Sequence, residues 1–227
     1  MLVKNWMSEP VITIDINDSM QGAVKLLRQN NIGMLPVIKR GALVGIITDR
    51  DLKRASASDA TTLEIHELIF LLQKIKVEDI MTKDPITVPP DYTVEETTEV
   101  LLKNKISGVP VVDQKGKIMG AITKGDLFKV LLSLTGVGKK GTQFAFELED
   151  RPGSIKEVAD IIRKHGGRMV SILSSNERVT EGYRSVYIRM CGIERAGLGE
   201  LKEELKKAVT LLYMIDHSQN QREIYYQ

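Results

Sequence analysis

With 227 residues the chain is longer than a typical single domain, and its 42% hydrophobic and 27% charged content excludes a disordered or fibrous protein. The 32 basic residues nearly balance the 30 acidic ones, which argues against the strong positive field that attracts nucleic acids or anionic membranes. Cys191 is the only cysteine, so no intrachain disulfide forms, and no apolar run reaches the length of a membrane span. We therefore expect a cytoplasmic protein of two or three domains that binds neither nucleic acid nor membrane.

The first half of the chain contains an internal repeat. The segment that begins at Val3 aligns with the segment that begins at Val77, with one inserted residue in the second. Both close on the pattern Gly-apolar-apolar-Thr-x-x-Asp-Leu, which starts at Gly45 and at Gly120. Two ordered occurrences indicate duplicated modules. We call residues 1–58 copy 1 and residues 77–135 copy 2.

Each copy has the pattern of a β-α-β-β-α unit. A short extended segment precedes an amphipathic helix, with Ser19 and Thr93 as predicted N-caps. Two largely apolar strands follow, and a second helix begins at Thr48 or Thr123. Because neither unit is large enough to bury its sheet alone, we expect the two copies to pack on each other.

The repeated Thr-x-x-Asp has two interpretations. At a helix start it is typical of a capping box, in which the threonine accepts a backbone N–H bond and the aspartate bonds back to the cap. The carboxylates of Asp51 and Asp126 also have lone pairs enough to accept two ribose hydroxyls. Arg50 and Lys124 lie inside the two motifs, where they either neutralise a phosphate or cover a solvated helix start.

The repeat resembles the tandem CBS domain, or Bateman module, over residues 1 to about 135. The resemblance implies a regulatory adenine nucleotide, AMP, ADP or ATP, between the copies, with S-adenosylmethionine as a further candidate and no required cofactor. It implies that Asp51 and Asp126 bind ribose and that Thr48 and Thr123 lie near the phosphate. The positions matching the adenine-holding segment are Ile12, Thr13, Ile86 and Thr87. The positions expected to wall the base are Met34, Pro36, Val109 and Pro110.

The rest of the chain divides into a linker, a second module and a tail. We predict a linker helix over 59–76, with Leu68, Leu71, Leu72 and Ile75 on one face, and a glycine-rich linker over 136–141. Gly136, Gly138 and Gly141 spell G-x-G-x-x-G, but a helix pattern precedes them and a strand pattern follows, so we reject a dinucleotide site.

Residues 142–216 have the order β-α-β-β-α-β of a ferredoxin-like α+β domain. With the turn "EDRPGSI" after its first strand, this segment resembles an ACT domain. The resemblance implies an amino acid or small carboxylate at the turn, and the alternative is a capped turn without a ligand. We expect Asp150 to cap the helix, Pro152 to occupy its first turn, and the N–H groups of Gly153, Ser154 and Ile155 to face the ligand. The polar tail, 217–227, is expected to fray.

The whole fold class is therefore α/β, with a tandem CBS pair followed by an ACT domain, an order that resembles the acetoin-utilisation B-type proteins. No set of residues indicates a catalytic or metal site, and no residue indicates acetoin chemistry. We expect a non-catalytic sensor, a homodimer through its CBS or ACT domains, that controls a separate protein. The alternatives are a dimerisation scaffold with vestigial sites and a small enzyme linked to acetoin metabolism.

Overall fold

The structure, a computed structural model, describes residues 1–59 and 74–225. The chain divides into two compact units, Met1–Phe128 and Lys129–Gln227. Both units combine helices with sheets, so the predicted α/β class is confirmed. The predicted linker helix with Leu68, Leu71 and Leu72 falls mostly outside the described residues. No helix of the described part is both long and apolar enough to cross a membrane.

The first unit contains copy 1 and copy 2 up to Phe128. Copy 1 has the predicted β-α-β-β-α order, whereas copy 2 begins with an additional short helix and strand. The elements of copy 1 are β1 (Ile14–Asp15), α1 (Met20–Gln29), β2 (Met34–Lys39), β3 (Ala42–Thr48) and α2 (Asp49–Asp59). Those of copy 2 are α3 (Val77–Ile80), β4 (Thr82–Lys83), α4 (Val94–Lys103), β5 (Gly108–Val112), β6 (Ile118–Thr123) and α5 (Lys124–Thr135). β1 runs parallel to β2, whereas β2 and β3, and likewise β5 and β6, are antiparallel. In copy 2 the counterpart of β1 is a single parallel bridge between Val88 and Val111.

The predicted helix caps are present. Ser19 Oγ accepts the Gly22 N–H at 3.1 Å at the start of α1. Thr93 Oγ1 accepts the Glu96 N–H at 3.1 Å, and Glu96 Oε2 accepts the Thr93 N–H at 2.7 Å, a complete capping box at the start of α4. These bonds fix where each helix begins and so where the following strand can return to the sheet.

Each copy gives the segment before its first strand to the sheet of the other copy. We call residues 3–8 and 77–83 the lead segments. Thr82 and Lys83 form β4, which pairs antiparallel with β3 of copy 1. Ser8 pairs with Ala121 on β6 of copy 2, through two backbone bonds of 2.8 and 3.3 Å. The sequence predicted that the copies pack together, and it did not predict this reciprocal exchange.

The exchange extends into the two cores. Val77 is fully buried in the apolar core of copy 1, whereas Val3 is fully buried in that of copy 2. Burial of one such valine contributes about 1.5–3 kcal/mol, so each lead segment stabilises the copy to which it does not belong.

The second unit has a five-stranded antiparallel sheet in the order β11-β10-β7-β9-β8. Its elements are β7 (Thr142–Glu149), α6 (Ser154–Lys164), β8 (Arg168–Ser175), β9 (Tyr183–Cys191), α7 (Arg195–Ala208), β10 (Thr210–Asp216) and β11 (Gln221–Ile224). The alternating Phe144, Phe146 and Leu148 of β7 are buried with apolar residues of both helices, because one face of the sheet packs on the helices. The first six elements have the predicted β-α-β-β-α-β order.

The C-terminal tail does not fray as expected over its middle part. Gln221–Ile224 form β11, which pairs with β10 and is itself an edge strand of the sheet. Tyr225 packs against the core, and its hydroxyl donates to Glu223. Backbone pairing with an available strand edge holds this polar segment, and its composition gave no sign of that pairing.

The glycine-rich connection is held by a buried cation. Arg189 on β9 is 4% exposed and donates to the carbonyl oxygens of Thr135 at 2.8 Å and Lys140 at 3.2 Å, and to Gln143 Oε1 at 2.8 Å. Burial lowers the pKa of Arg189. Because α5 ends at Thr135 and β7 begins at Thr142, a helix precedes the G-x-G-x-x-G pattern and a strand follows it, as predicted.

Candidate functional site

A cleft of about 720 Å³ lies between the two copies in the first unit. Its apolar wall includes Met34, Ile46 and Ile106. The two Thr-x-x-Asp motifs meet here, because Thr48 and Thr123 both line the cleft. A volume of this size lies within the range typical of small-molecule sites.

Charged side chains surround the same cleft. The cations Arg50, Lys53 and Lys124 line it, together with the carboxylate of Asp49. No ion pair joins any of these three cations to another described residue, and all three residues are exposed. Asp49 and Arg50 open α2, and Lys124 opens α5, so two helix N-termini border the cleft. The helix dipole favours negative charge at both places.

Asp51 is almost fully occupied by bonds within the protein. It is 4% exposed, and its Oδ2 accepts the Thr48 N–H at 2.9 Å and the Thr48 hydroxyl at 2.6 Å. Its Oδ1 accepts Arg54 Nη2 at 3.0 Å and the Thr82 hydroxyl at 3.1 Å. A carboxylate has about four acceptor positions, so binding a ribose diol requires Asp51 to exchange some of these partners.

Copy 2 repeats this arrangement. Asp126 is 5% exposed, and its Oδ2 accepts the N–H and the hydroxyl of Thr123 at 3.0 and 2.8 Å. In both copies the aspartate bonds back to the first residue of the motif, as a capping box predicts. The threonine hydroxyl, however, donates to the aspartate, whereas we expected it to accept a backbone N–H. The carboxylate is the better acceptor, and it lies within reach of the hydroxyl.

Five of the predicted nucleotide-site residues line the cleft: Met34, Thr48, Arg50, Thr123 and Lys124. The structure does not bring the other nine to its wall. Of these, Pro36, Val109 and Pro110 are buried in strands, Ile12, Thr13 and Thr87 are partly buried, and Ile86 is exposed. Asp51 and Asp126 are the remaining two. The roles of all nine residues as ligand contacts stay predictions.

Sequence reasoning missed several residues of the cleft, and Lys53 is the most informative of them. It lies three residues after Arg50 on α2, and residues at this spacing share one face of a helix. That spacing was readable from the sequence, but the repeated motif ends at Leu52, so Lys53 lies just outside it. Gly33 and Ser107, which carry no charge or motif, also line the cleft.

The turn after β7 forms a second cavity, of about 430 Å³, in the second unit. All five predicted residues line it: Asp150, Pro152, Gly153, Ser154 and Ile155. Gly153, at φ 92°, is the N-cap of α6, a conformation that favours glycine. The expected cap at Asp150 was therefore wrong, and Pro152 lies before the helix and not in its first turn.

The cationic side chains around this second cavity already form ion pairs with carboxylates of the protein. Arg184 pairs with Asp150, and Arg151 donates to Glu157 through two bonds of 2.8 Å. These bonds from Arg151 lower the pKa of Glu157. Lys156 pairs with Asp160. An amino-acid or carboxylate ligand must compete with these pairs, and its binding at this turn stays a prediction.

No group of three or more potential metal-ligating side chains comes together within residues 1–59 and 74–225. The lining of the cleft offers apolar contact, cationic side chains and helix N-termini for the recognition of a ligand.

Comparison with known proteins identifies the repeat. The family model of the CBS domain matches residues 3–58 and 77–133. A CBS domain-containing protein of Dictyostelium discoideum is 35% identical over 134 residues, which are 59% of this chain and 92% of that protein.

Two solved structures extend the comparison. The CBS domain pair of protein MJ0100, in complex with 5′-methylthioadenosine and S-adenosyl-L-methionine, is 36% identical with a TM-score of 0.50, covering 62% of this chain and 98% of that one. The CBS-pair protein CBSX2 from Arabidopsis thaliana is 29% identical with a TM-score of 0.51, covering 61% of this chain and 96% of that one.

Proposed function

Because the chain belongs to the CBS domain family, we propose that it is a regulatory protein that senses an adenosine-containing ligand in the cleft between its two copies. The observation that carries this proposal is the cleft itself, where an apolar wall adjoins two helix N-termini and three cations that form no ion pair with another described residue. In an adenosine ligand with an anionic tail, the flat adenine ring suits the apolar wall, and the anion suits the cations and helix N-termini. The complex of the MJ0100 relative with 5′-methylthioadenosine and S-adenosyl-L-methionine supports the adenosine part of this ligand, since neither compound carries a phosphate.

The cleft also supplies a means of signalling. Residues from both copies line it, so a bound ligand contacts Thr48 on one side and Thr123 on the other. A ligand that fits one arrangement of the copies better than another shifts the population toward that arrangement. We propose that this shift is read by a separate protein.

The remaining parts of the proposal concern the second unit. Its β-α-β-β-α-β order and the cavity at the predicted turn support an ACT domain as a second sensing or dimerising module. Homodimerisation is tested by light scattering of the purified protein with and without ligand. A monomer under both conditions would remove dimerisation from the proposal.

The test of ligand binding is calorimetric titration of AMP, ADP, ATP, 5′-methylthioadenosine and S-adenosylmethionine. We expect a Kd near the micromolar range, about −8 kcal/mol, for at least one of them. The double variant Arg50→Gln/Lys124→Gln should weaken binding of a phosphate-bearing ligand about tenfold or more, the effect of losing one or two charge-assisted contacts. Lys103→Gln is the matched control, because Lys103 lies on the exposed end of α4 and does not line the cleft.

Two other outcomes lead to different functions. If the wild type binds none of these ligands, the dimerisation scaffold replaces the sensor. If the purified protein turns over ATP or acetoin, the small enzyme replaces it.

Asp51→Asn and Asp126→Asn separate the two roles of the repeated aspartate. Both variants should melt earlier, because each aspartate holds bonds within the protein. A ribose contact predicts in addition that the folded fraction loses affinity, whereas a purely structural role predicts that the folded fraction retains it.

A further inference from the structure

One helix, α5, belongs to both compact units. It begins at Lys124, and the boundary between the units falls between Phe128 and Lys129, inside the helix. Its first two residues, Lys124 and Gly125, line the cleft between the copies. The Lys124 N–H donates to the carbonyl oxygen of Ser107, another residue of the cleft wall, at 2.9 Å. A ligand in the cleft therefore lies against the start of α5.

The other end of α5 is held by side chains of the second unit. The carbonyl oxygen of Thr135, the last residue of the helix, accepts Arg189 Nε at 2.8 Å and Ser171 Oγ at 3.0 Å. Carbonyl groups in the last turn of a helix have no partner within that helix, so these donors on β9 and β8 complete the end of α5. The positive charge of Arg189 also lies where the helix dipole favours a cation.

The connection between α5 and β7 is short and closely packed. It consists of residues 136–141, and two backbone hydrogen bonds of 3.0 and 3.1 Å close a turn within it. A Cβ added at Gly136 would lie 2.5 Å from Val170 Cγ1, so the backbone packs directly against β8 at this point. Arg189 also donates to the Lys140 oxygen at 3.2 Å, near the other end of the connection. A displacement of α5 is therefore passed to β8 and β9, because no flexible linker absorbs it.

The burial of Arg189 makes this contact sensitive to the position of α5. The residue is 4% exposed, and its described acceptors are all uncharged: the carbonyl oxygens of Thr135 and Lys140 and the side chain of Gln143. A buried charge is tolerated where its hydrogen bonds are satisfied, and the loss of one acceptor leaves it poorly compensated. The bond to Thr135 is therefore either made or lost. That gives the two discrete arrangements that coupling between distant sites requires.

We propose that α5 transmits the state of the ligand cleft to the second unit, and that Arg189 is the positioning residue that makes the second unit respond. This inference rests on the proposed function and adds the route of regulation to it. A ligand that shifts the packing of the two copies moves the start of α5, and Arg189 then keeps or loses the oxygen of Thr135. Because coupling between two sites is reciprocal, the state of the second unit changes the affinity of the cleft by the same factor.

The experiment measures amide hydrogen exchange by mass spectrometry in the full chain, with and without an excess of AMP, ATP or S-adenosylmethionine. Peptides covering residues 48–53 report on the cleft, and peptides covering β8 report on the second unit. We expect a ligand that slows exchange at 48–53 to change exchange in β8 about fivefold or more, the lower end of typical coupling between sites. Arg189→Met should abolish the response of β8, whereas 48–53 should still respond because the ligand is in excess.

Two further variants keep the test valid if Arg189→Met does not fold. Ser171→Ala removes only the second donor to the Thr135 oxygen, so it should reduce the response of β8 in part. Arg222→Met is the control, because Arg222 is an exposed arginine on β11 of the same sheet and donates to Asn220. It should leave the response of β8 unchanged.

The outcomes separate this inference from the proposed function. Slower exchange at 48–53 without a change in β8 would overturn the route through α5 while the sensor stands. A response of β8 that persists in full in Arg189→Met, or in Ser171→Ala where the first variant does not fold, would reduce Arg189 to a structural cap and overturn the inference. If none of the three ligands slows exchange at 48–53, the sensor and this inference both fail.

Discussion

The replacement of Gly45 by alanine tests the exchange of lead segments. Gly45 lies on β3 of copy 1, under the lead segment of copy 2. A Cβ added there would lie 2.7 Å from Met81 Sδ and 2.8 Å from the backbone oxygen of Thr82. The thioether can move, but the Thr82 oxygen belongs to β4, which pairs with the same strand. The substitution therefore separates β4 from β3.

The expected loss follows from these two contacts. Inserting a methyl group into a packed site costs about 1–3 kcal/mol, and a backbone obstacle favours the upper part of that range. We expect Gly45→Ala to lower the free energy of unfolding of the first unit by about 2–3 kcal/mol. Gly120→Ala meets Met7 Sδ at 2.7 Å but the Ser8 oxygen only at 3.0 Å, so its loss should be smaller.

The chain contains a convenient probe for the measurement. Trp6 is its only tryptophan and lies in the first unit, next to the lead segment residue Met7. Urea unfolding followed by Trp6 fluorescence therefore reports on the first unit.

Gly22→Ala is the control. Its Cβ would meet only Ser19 Oγ, at 3.6 Å, and alanine in helix α1 should stabilise by about 0.5–1 kcal/mol. Equal stability of the wild type and Gly45→Ala, or equal losses in Gly45→Ala and Gly22→Ala, would refute the reasoning.

Two further predictions concern the second unit. Arg189→Met should lower the free energy of unfolding of the second unit by about 2–3 kcal/mol, because the carbonyl oxygens of Thr135 and Lys140 lose their donor. Thermal melts followed by circular dichroism measure this loss, and an unchanged melting curve would contradict the prediction. Burial, together with Arg189 and Arg222, lowers the pKa of His217, so the unfolded chain takes up a proton near pH 6.5 before the folded chain does. Stability should therefore fall as the pH decreases from 7.5 to 5.5, and His217→Phe should show a smaller fall; identical pH dependence in both proteins would exclude His217 as the cause.

The sequence was sufficient for the architecture of each copy. Periodicity, the caps at Ser19 and Thr93, and the repeated closing motif predicted the element order, because these are local signals that each segment carries by itself. The rejection of the G-x-G-x-x-G pattern held for the same reason, since it depended only on which element precedes and which follows.

The exchange of lead segments could not be predicted in this way. A two-residue strand such as Thr82–Lys83 carries no information about its partner, and β3 and β6 are near copies of each other. Either pairing satisfies the same backbone bonds, so only the full arrangement of both copies decides between them. The strand Gln221–Ile224 escaped prediction likewise, because its partner lies on β10 and its own residues are mostly polar.

The residues that line the cleft were predicted in part. Thr48, Arg50, Thr123 and Lys124 belong to a repeated motif, and their convergence follows once the two copies face each other. Lys53 belongs to no motif and differs between the copies, so self-comparison of the sequence passes over it.

The reciprocal lead segments bear on how such a chain arises. In a single copy, one edge of the sheet would lack its pairing segment, and the copy's own lead segment would have no partner strand. Two identical chains would complete each other, so a single-copy ancestor with this architecture would have been an obligate homodimer. Joining two such chains by gene duplication would keep the partners interlocked, and each half could then diverge without losing its complement. The unequal charges at Asp49 and Lys124 are the kind of difference that only a fused pair, and never a symmetric dimer of one sequence, can acquire.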